Sequence, residues 1–428
     1  MKSKSNFKPT LLAILGAFGT YFCMYAFRKP FTVATFQNIS FWGIDYKILL
    51  ITAQVLGYMC SKFLGIKIIS ELKKRKRGYF SLLLIAIAEL SLLGFALTPA
   101  PYNLFWMFIN GLPLGLVWGI VFSYLEGRKQ TEFLGLALCS SFIVSSGVVK
   151  SVGLFTMLNW GISSSWMPFV TGLLFIIPML FFVYLLEKIP APSSEDKKQR
   201  TKRVPMSVTD RWNLLKAFWF PILVTAIFYT FLTAFRDFRD NFSRELWDAL
   251  GFKGNIEIYT LSELPIAILV LISLSFLGVI KQNYKAFITY HFVLIIGVLL
   301  TGLATILYQL HFISPVFWMI SIGFGLYVCY VPFNCIFFDR MIAAFKIKGN
   351  SGFLIYIADS FGYLGSILVM FYRNFGQATI SWLHFFIYGT YVICIIGLLS
   401  VSASLLYFKQ QKNKIQQPFQ LNLDAKNI

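Results

Sequence analysis

The chain has 428 residues, of which 57% are hydrophobic, 18% aromatic and only 13% charged. A water-facing domain of this size could not bury 46 phenylalanines and repeated apolar runs of about 20 residues, so the composition excludes a soluble globular protein. The formal net charge of +20 does not indicate a nucleic-acid partner, because the cations concentrate in the tails and in alternate loops, as the positive-inside rule requires.

Apolar runs long enough to cross about 30 Å of hydrocarbon recur along the whole chain. The first run follows several lysines but lacks the small-residue cleavage site of a signal peptide, so we interpret it as the first membrane helix. An all-α membrane protein with both termini in the cytoplasm is expected from this pattern. The twelve predicted transmembrane helices lie at residues 10–36, 46–70, 79–98, 103–126, 132–157, 164–186, 213–238, 256–280, 286–308, 314–338, 350–374 and 380–408.

The middle of the chain carries a long basic segment with helix-breaking prolines, which indicates a linker between two halves. A repeat supports two halves, because aligning helix 1 with helix 7 places Tyr21 on Tyr229 and Ala26-Phe27-Arg28 on Ala234-Phe235-Arg236. Parallel repeats about an axis along the membrane normal are a known transporter design. The predicted organisation is an N-terminal six-helix bundle (1–186), a cytoplasmic linker (187–212), a C-terminal six-helix bundle (213–408) and a cytoplasmic tail (409–428).

Two arginines interrupt these hydrophobic runs at equivalent positions. Tyr21, Tyr25 and Arg28 are spaced so that they share one face of an α-helix, and Tyr229 and Arg236 repeat that face in helix 7. Two arginines facing each other across a two-fold axis repel unless an anion lies between them, and a guanidinium suits bidentate binding of phosphate or carboxylate. The pattern predicts an anion clamp made by Arg28 and Arg236, with Tyr229 as a further substrate-binding residue.

Two other interpretations of these arginines remain open at the sequence level. Either residue could lie near the interface and extend its charge outward to water. Arg236 could also be neutralised by its neighbour Asp237.

Further charged residues fall within predicted helices: Lys62 in helix 2, Lys150 in helix 5, Glu263 in helix 8 and Asp359 in helix 11. A buried charge needs a partner or a water-filled cavity, so each of these is a candidate functional residue. Glu89 in helix 3 has no evident cation at its depth. The six cysteines and three histidines have no paired or metal-binding spacing, so we expect no metal, no disulfide and no cofactor.

Two short motifs carry a resemblance. Tyr25-Ala-Phe-Arg28-Lys29-Pro-Phe31 and Tyr58-x-x-Ser61-Lys62-Phe63-x-Gly65 resemble the helix 1 and helix 2 signatures of the organophosphate:phosphate antiporters, which include the glycerol-3-phosphate and hexose-6-phosphate transporters. The twelve-helix layout, with a cation-rich segment at Lys73–Arg77, resembles the wider major facilitator superfamily. The local similarity covers roughly residues 17–65.

The resemblance implies roles for several residues. Arg28 and Arg236 would bind the phosphate group, Tyr21 and Tyr25 would line the cavity, and Lys62 would lie near the substrate path. The chain departs from the family in one respect, because the glycerol-phosphate members have a substrate-contacting histidine in helix 5 and residues 140–147 contain none.

The superfamily's architecture packs helix 2 beside helix 11 and helix 5 beside helix 8. This implies two ion pairs between the halves: Lys62 with Asp359 on the cytoplasmic side, and Lys150 with Glu263 on the outer side. Each pair would act as a gate that forms when its own side closes. Alternatively, all four residues face the aqueous cavity.

Together these features predict a secondary transporter, not an enzyme, in the inner membrane of a bacterium. It would carry a small anionic, phosphorylated metabolite by alternating access, would exchange it for inorganic phosphate if it works as an antiporter, and would be monomeric. Two alternatives remain: a proton-coupled carrier of a carboxylate or amino-sugar compound, and a non-transporting receptor for a phosphate ester.

Overall fold

The computed structural model describes residues 7–71, 76–125, 128, 131–190, 212, 214–216, 218–345, 351–376 and 379–424. Within these residues, ten helices have the length and hydropathy of membrane spans. Two further long helices, Tyr46–Glu71 and Ser351–Phe371, bring the number of long helices to twelve. The prediction of an all-α, twelve-helix membrane protein is therefore confirmed. In chain order the helices are α1 (Phe7–Met24), α2 (Tyr46–Glu71), α3 (Arg77–Leu97), α4 (Leu104–Leu125), α5 (Thr131–Asn159), α6 (Met167–Glu187), α7 (Trp219–Asn241), α8 (Ile258–Gly278), α9 (Asn283–Gln309), α10 (Pro315–Cys335), α11 (Ser351–Phe371) and α12 (Trp382–Asp424).

Short elements join the long helices. On one side, 3₁₀ turns at Tyr25–Phe27 and Pro30–Val33 follow α1, and a two-stranded antiparallel hairpin (β1, Ser40–Phe41; β2, Ile44–Asp45) leads into α2. A short helix, Ser243–Ala249, lies on the same side after α7, and another, Phe337–Ala344, follows α10 on the opposite side. We call the first side outer and the second cytoplasmic, as the positive-inside pattern predicts.

Helix 1 is shorter than its apolar run predicted. The α-helix ends at Met24, and the chain tightens into 3₁₀ geometry before Arg28, whose backbone has φ −118° and ψ −47°. Pro30 has no amide hydrogen to donate and starts the next 3₁₀ turn, so the helix cannot continue through it. We expected Tyr21, Tyr25 and Arg28 to share one face of a regular α-helix. That expectation is wrong for Tyr25 and Arg28, because the α-helix ends at Met24.

Each half is built by close helix packing, and one such contact joins α2 to α4. A Cβ atom added at Gly111 would lie 2.1 Å from the Gln54 carbonyl oxygen, and one at Gly115 would lie 1.7 Å from Ser61 Oγ. These glycines let the two backbones approach, as small residues do in membrane helices. Between the halves, α5 packs on α8 and α2 packs on α11, the neighbours that the superfamily architecture implies.

Most of the predicted linker, residues 191–211, and residues 72–75 of the basic motif lie outside the described residues. The predicted domain boundaries therefore stay predictions.

Candidate binding site between the two halves

The break at the end of α1 is held by two buried amide side chains. Gln54 of α2 donates to the Arg28 carbonyl oxygen at 3.0 Å and to Asn110 Oδ1 at 2.8 Å. Asn110 of α4 donates in turn to the Phe27 carbonyl oxygen at 3.1 Å. Because an unpaired buried carbonyl costs free energy, these bonds stabilise the irregular backbone and fix Arg28 against α2 and α4.

The Arg28 side chain is buried, yet it has no anionic partner among the described residues. The residue is 9% exposed, and its Nε is buried without a hydrogen bond. Its guanidinium carbon lies 4.1 Å from the ring centroid of Tyr58 and 5.9 Å from that of Tyr25. Cation–π contacts of this kind contribute about 0.5–2 kcal/mol, which is less than the several kcal/mol that burying a charge costs. The arrangement leaves this cation able to bind an anion.

Arg236 of α7 differs from Arg28 because it already has a carboxylate. Its Nη2 lies 2.6 Å from Asp237 Oδ1, and Asp237 Oδ2 accepts a hydrogen bond from Ser366 of α11 at 2.8 Å. The guanidinium carbon lies 3.8 Å from the ring centroid of Tyr330. The Arg236–Asp237 contact left open by the sequence is therefore present, and it occupies only part of the guanidinium, whose Nε has no hydrogen bond.

Buried tyrosines surround the two arginines. The Arg28 guanidinium lies near the rings of Tyr58 and Tyr25, and the Arg236 guanidinium lies over the ring of Tyr330. The ring pairs include Tyr58 with Tyr363, 5.3 Å apart across the two halves. All seven rings are at least 90% buried, and they are Tyr21, Tyr25, Tyr58, Tyr229, Tyr327, Tyr330 and Tyr363. Tyrosine provides apolar area and a hydroxyl group together, which suits recognition of a polar organic molecule.

Lys62 and Asp359, the first expected pair, lie together. Lys62 Nζ is 3.8 Å from Asp359 Oδ2, which joins α2 to α11 on the cytoplasmic side of the arginines. Tyr229 donates to Asp359 Oδ1 at 2.6 Å, and Asn334 donates to the Tyr229 hydroxyl at 3.3 Å. The contact links the predicted substrate-binding Tyr229 to the predicted gate, whose role stays a prediction.

On the outer side, one carboxylate joins the two halves. Asp240 of α7 forms ion pairs with Lys29 and with Lys150 of α5, the latter at 2.5 Å. It also accepts a hydrogen bond from Ser146. Lys29 donates to Asn241 Oδ1 as well, at 2.7 Å. We call these five residues the Asp240 cluster. All five are buried, so a single C-half carboxylate fixes three N-half donors away from water.

The second expected pair, Lys150 with Glu263, is wrong for this structure. Lys150 pairs with Asp240, while Glu263 accepts from Arg239 of α7 at 2.7 Å. The reason is that α7 continues to Asn241, past the predicted end at residue 238, and so brings Arg239 and Asp240 between α5 and α8. Each residue of the expected pair therefore meets a nearer partner.

A second layer of contacts closes the outer side beyond the Asp240 cluster. Lys47 at the start of α2 pairs with Glu245 of the short outer helix at 2.6 Å. Burial raises the pKa of the Glu245 carboxyl, and the Lys47 charge acts in the opposite direction. Asn374 donates to the Gly43 carbonyl oxygen in the hairpin at 3.1 Å. These contacts again join the N-terminal half to the C-terminal half.

The cytoplasmic side is also bridged, by Arg340. This buried residue of the short helix after α10 donates to Glu132 at the start of α5 at 2.8 Å. It also donates to Asn283 at the start of α9 at 2.7 Å. Contacts between the halves therefore lie on both sides of the arginines.

Comparison with known proteins places the chain in a family. The model of a family of unknown function, DUF5690, matches residues 30–411. The chain belongs to this family. No curated protein matches it. The matched segment of this DUF5690 protein contains Arg236, Asp240 and Asp359 and begins just after Arg28 and Lys29.

Solved structures share the fold of this DUF5690 protein. A crystal structure of the nucleoside transporter NupG has a TM-score of 0.60 at 16% identity and covers 94% of this chain and 99% of its own. A D-xylose-proton symporter has a TM-score of 0.58 at 16% identity, covering 93% and 97%. A bacterial homologue of the human lysosomal transporter Spinster, inward-facing and unoccupied, has a TM-score of 0.59 at 12% identity, covering 94% and 97%. The fold is therefore that of the major facilitator superfamily.

Several residues of the site were not identified as site residues from the sequence. They are Lys29, Asp237, Asp240, Tyr363 and Ser366. The available signal was the run Asp237-Phe238-Arg239-Asp240, which is unusually charged for the end of a membrane helix. Its partners could not be assigned, because Lys29 and Lys150 are far from it in the chain and neither motif spacing nor periodicity joins them.

Glu89 stands apart from this site. It is 7% exposed and lies between α3 and α6, where a Cβ atom on Gly172 would approach its Oε2 to 2.1 Å. Neither carboxyl oxygen has a hydrogen-bond partner in the described part of the chain. A buried carboxyl without a cation is most stable in its protonated form.

Proposed function

We propose that this protein is a secondary transporter that carries a small anionic, phosphorylated metabolite across the inner membrane of a bacterium by alternating access, in exchange for inorganic phosphate. It would act as a monomer among membrane lipids. The observation that carries the proposal is the buried guanidinium of Arg28, which has no carboxylate partner among the described residues, at the junction of two halves in a major facilitator fold.

The charge of the interface supports a dianionic ligand. Apart from the paired Lys47–Glu245 and Arg340–Glu132, six buried or partly buried cations meet four carboxylates there, which leaves two positive charges in excess. A phosphate monoester or inorganic phosphate carries up to two negative charges at neutral pH. The cations are Arg28, Lys29, Lys62, Lys150, Arg236 and Arg239, and the carboxylates are Asp237, Asp240, Glu263 and Asp359.

The contacts on the two sides suggest how the site would alternate. The Asp240 cluster and the Lys47–Glu245 pair close the outer side, while Lys62–Asp359 and Arg340–Glu132 join the halves on the cytoplasmic side. Opening either side requires its own set to separate while the other holds. An anion bound by Arg28 and Arg236 would reduce their repulsion, and this differential stabilisation of the closed arrangement would drive the change.

Exchange of labelled inorganic phosphate in proteoliposomes tests the proposal. Vesicles loaded with unlabelled phosphate should take up external labelled phosphate, and glycerol 3-phosphate or glucose 6-phosphate should compete. Arg28→Gln should abolish uptake, and Arg28→Lys should lower it at least about tenfold, because an ammonium cannot bind bidentately. Arg244→Gln is the matched control, since Arg244 pairs with Asp248 outside the clamp at 2.8 Å. Wild-type protein that neither binds nor exchanges any of these phosphates contradicts the proposal.

A second candidate is a proton-coupled carrier of a carboxylate or amino-sugar compound. The observation that favours it is Glu89, a buried carboxyl without a partner among the described residues, together with Asp359 inside the site. Uptake driven by a pH gradient without phosphate exchange, and lost in Glu89→Gln or Asp359→Asn, would support this candidate over the first.

A further inference from the structure

Two cysteines from different halves meet on the cytoplasmic side. Cys139 lies in α5 of the N-terminal half, and Cys335 is the last residue of α10 in the C-terminal half. Their side chains lie close enough to interact electrostatically, and Cys335 Sγ donates to the Val331 carbonyl oxygen at 3.1 Å. Both residues are buried, with 1% of Cys139 and 9% of Cys335 exposed.

The packing around these thiols keeps them together when the cytoplasmic side is closed. A Cβ atom built on Gly135, one turn before Cys139, would lie 3.5 Å from Cys335 Cβ, so α10 runs directly against this face of α5. Nearer the cytoplasm, the Arg340–Glu132 ion pair at 2.8 Å joins the short helix that follows α10 to the start of α5. The sulfur pair therefore belongs to the contact between the halves.

The other cysteines do not offer this arrangement. Cys329 donates to the Leu294 carbonyl oxygen at 3.4 Å, and Cys394 packs near Gly302, both inside the C-terminal half. Cys23 and Cys60 lie in α1 and α2 of the N-terminal half. All six cysteines lie in described helices outside any disulfide, and among them Cys139 and Cys335 are the two that lie close together on opposite halves.

We propose that Cys139 and Cys335 are a redox modification site at which hydrogen peroxide forms a reversible disulfide that holds the cytoplasmic side closed. The proposal rests on separation of the two halves and not on the identity of the substrate. It adds to the proposed transport function a means of stopping the cycle in one arrangement.

The chemistry needs two steps and one named oxidant. When the cytoplasmic side opens, the more exposed thiol, Cys335, becomes accessible, and peroxide converts it to a sulfenic acid with release of water. When the side closes again, the Cys139 sulfur displaces hydroxide from that sulfenic acid, which leaves as a second water with the Cys139 proton, and the S–S bond forms. Forming the disulfide brings the two sulfur atoms to about 2 Å. A dithiol reductant reverses the bond.

Peptide mapping of the full-length chain in nanodiscs after peroxide treatment tests the proposal. The expected product is a cross-linked peptide pair containing Cys139 and Cys335 that disappears on treatment with dithiothreitol. Cys139→Ser and Cys335→Ser should each abolish it, whereas Cys329→Ser, a within-half cysteine, should leave it intact. If either variant fails to fold, differential alkylation of the wild-type chain gives the same answer, because both thiols must become protected together.

A second readout separates this proposal from the proposed function. Hydrogen exchange at the cytoplasmic ends of α5 and α10 should slow after oxidation, whether or not the protein exchanges phosphate. Where labelled phosphate exchange is measurable, it should fall several-fold with oxidation and recover with dithiothreitol. Recovery of Cys139 and Cys335 as free thiols, or of Cys335 as a sulfinic acid without a cross-link, would overturn the proposal.

Discussion

The Lys150 ammonium lies 2.5 Å from Asp240 Oδ1, so a cation of α5 is paired with a carboxylate at the end of α7. Lys29 pairs with the other oxygen of the same carboxylate. One acidic side chain therefore forms ion pairs with two basic side chains from the opposite half of the protein. Removing it leaves two buried ammonium groups close together, which makes Asp240 the most sensitive point of the outer closure.

Asp240→Asn should destabilise the outer-closed arrangement. The change keeps the shape of the side chain but removes the charge that Lys29 and Lys150 share, and loss of one partner from a buried ion pair costs about 3–5 kcal/mol. Hydrogen exchange around residues 28–34 and 236–241 should accelerate, and the thermal midpoint should fall. Asp248→Asn is the control, because its pair with Arg244 lies within one short helix. Equal exchange in both variants would show that the Asp240 cluster does not hold the outer side closed.

Arg236 and Asp237 should behave as a coupled pair. Arg236→Gln leaves Asp237 without its 2.6 Å ion pair, so this variant should lose thermal stability as well as ligand binding. Adding Asp237→Asn should restore most of the stability and none of the binding of inorganic phosphate. A double-mutant cycle in thermal unfolding measures the coupling. Additive effects of the two substitutions would mean that the pair contributes nothing to stability.

Exchange of charges tests the contact between Lys62 and Asp359. Lys62→Asp and Asp359→Lys should each abolish phosphate exchange, because each places two like charges near each other on α2 and α11. The double variant should regain part of the exchange if their attraction is what closes the cytoplasmic side. Complete inactivity of the double variant, with normal folding by size-exclusion chromatography, would assign the residues to substrate contact instead of gating.

Gly115→Ala should destabilise the N-terminal half. The added methyl group would meet Ser61 Oγ at 1.7 Å and the Tyr58 carbonyl oxygen at 2.8 Å, so α2 and α4 must move apart. Overpacking of this kind costs about 1–3 kcal/mol, and it should also displace Tyr58 from the Arg28 guanidinium. Gly278→Ala is a matched control, since nothing lies within 4 Å of the corresponding position. Thermal unfolding of both variants measures the difference. A wild-type midpoint for Gly115→Ala as well as for Gly278→Ala would disprove the tight α2–α4 contact.

The sequence by itself determined the membrane fold, because hydrocarbon solvation forces apolar runs of about 20 residues into helices, and those runs can be counted. It also pointed to Arg28, Arg236, Lys62 and Asp359 as candidate site residues, since a charge inside an apolar run stands out at single-residue resolution. Helix neighbours implied by the superfamily were sufficient to bring Lys62 to Asp359, because both residues lie well inside their helices.

Only the tertiary structure decided the outer closure. The partners of Lys150 and Glu263 depend on where α7 ends, and three residues of extra helix move Arg239 and Asp240 from an expected loop into the interface. The change to 3₁₀ geometry after Met24 likewise decides the directions of Arg28 and Lys29. Although the two residues are adjacent, Arg28 packs on Tyr58 and Lys29 pairs with Asp240. Ion pairing is strongest for the nearest opposite charge, and the nearest charge is set by helix ends and crossings that hydrophobic periodicity does not record.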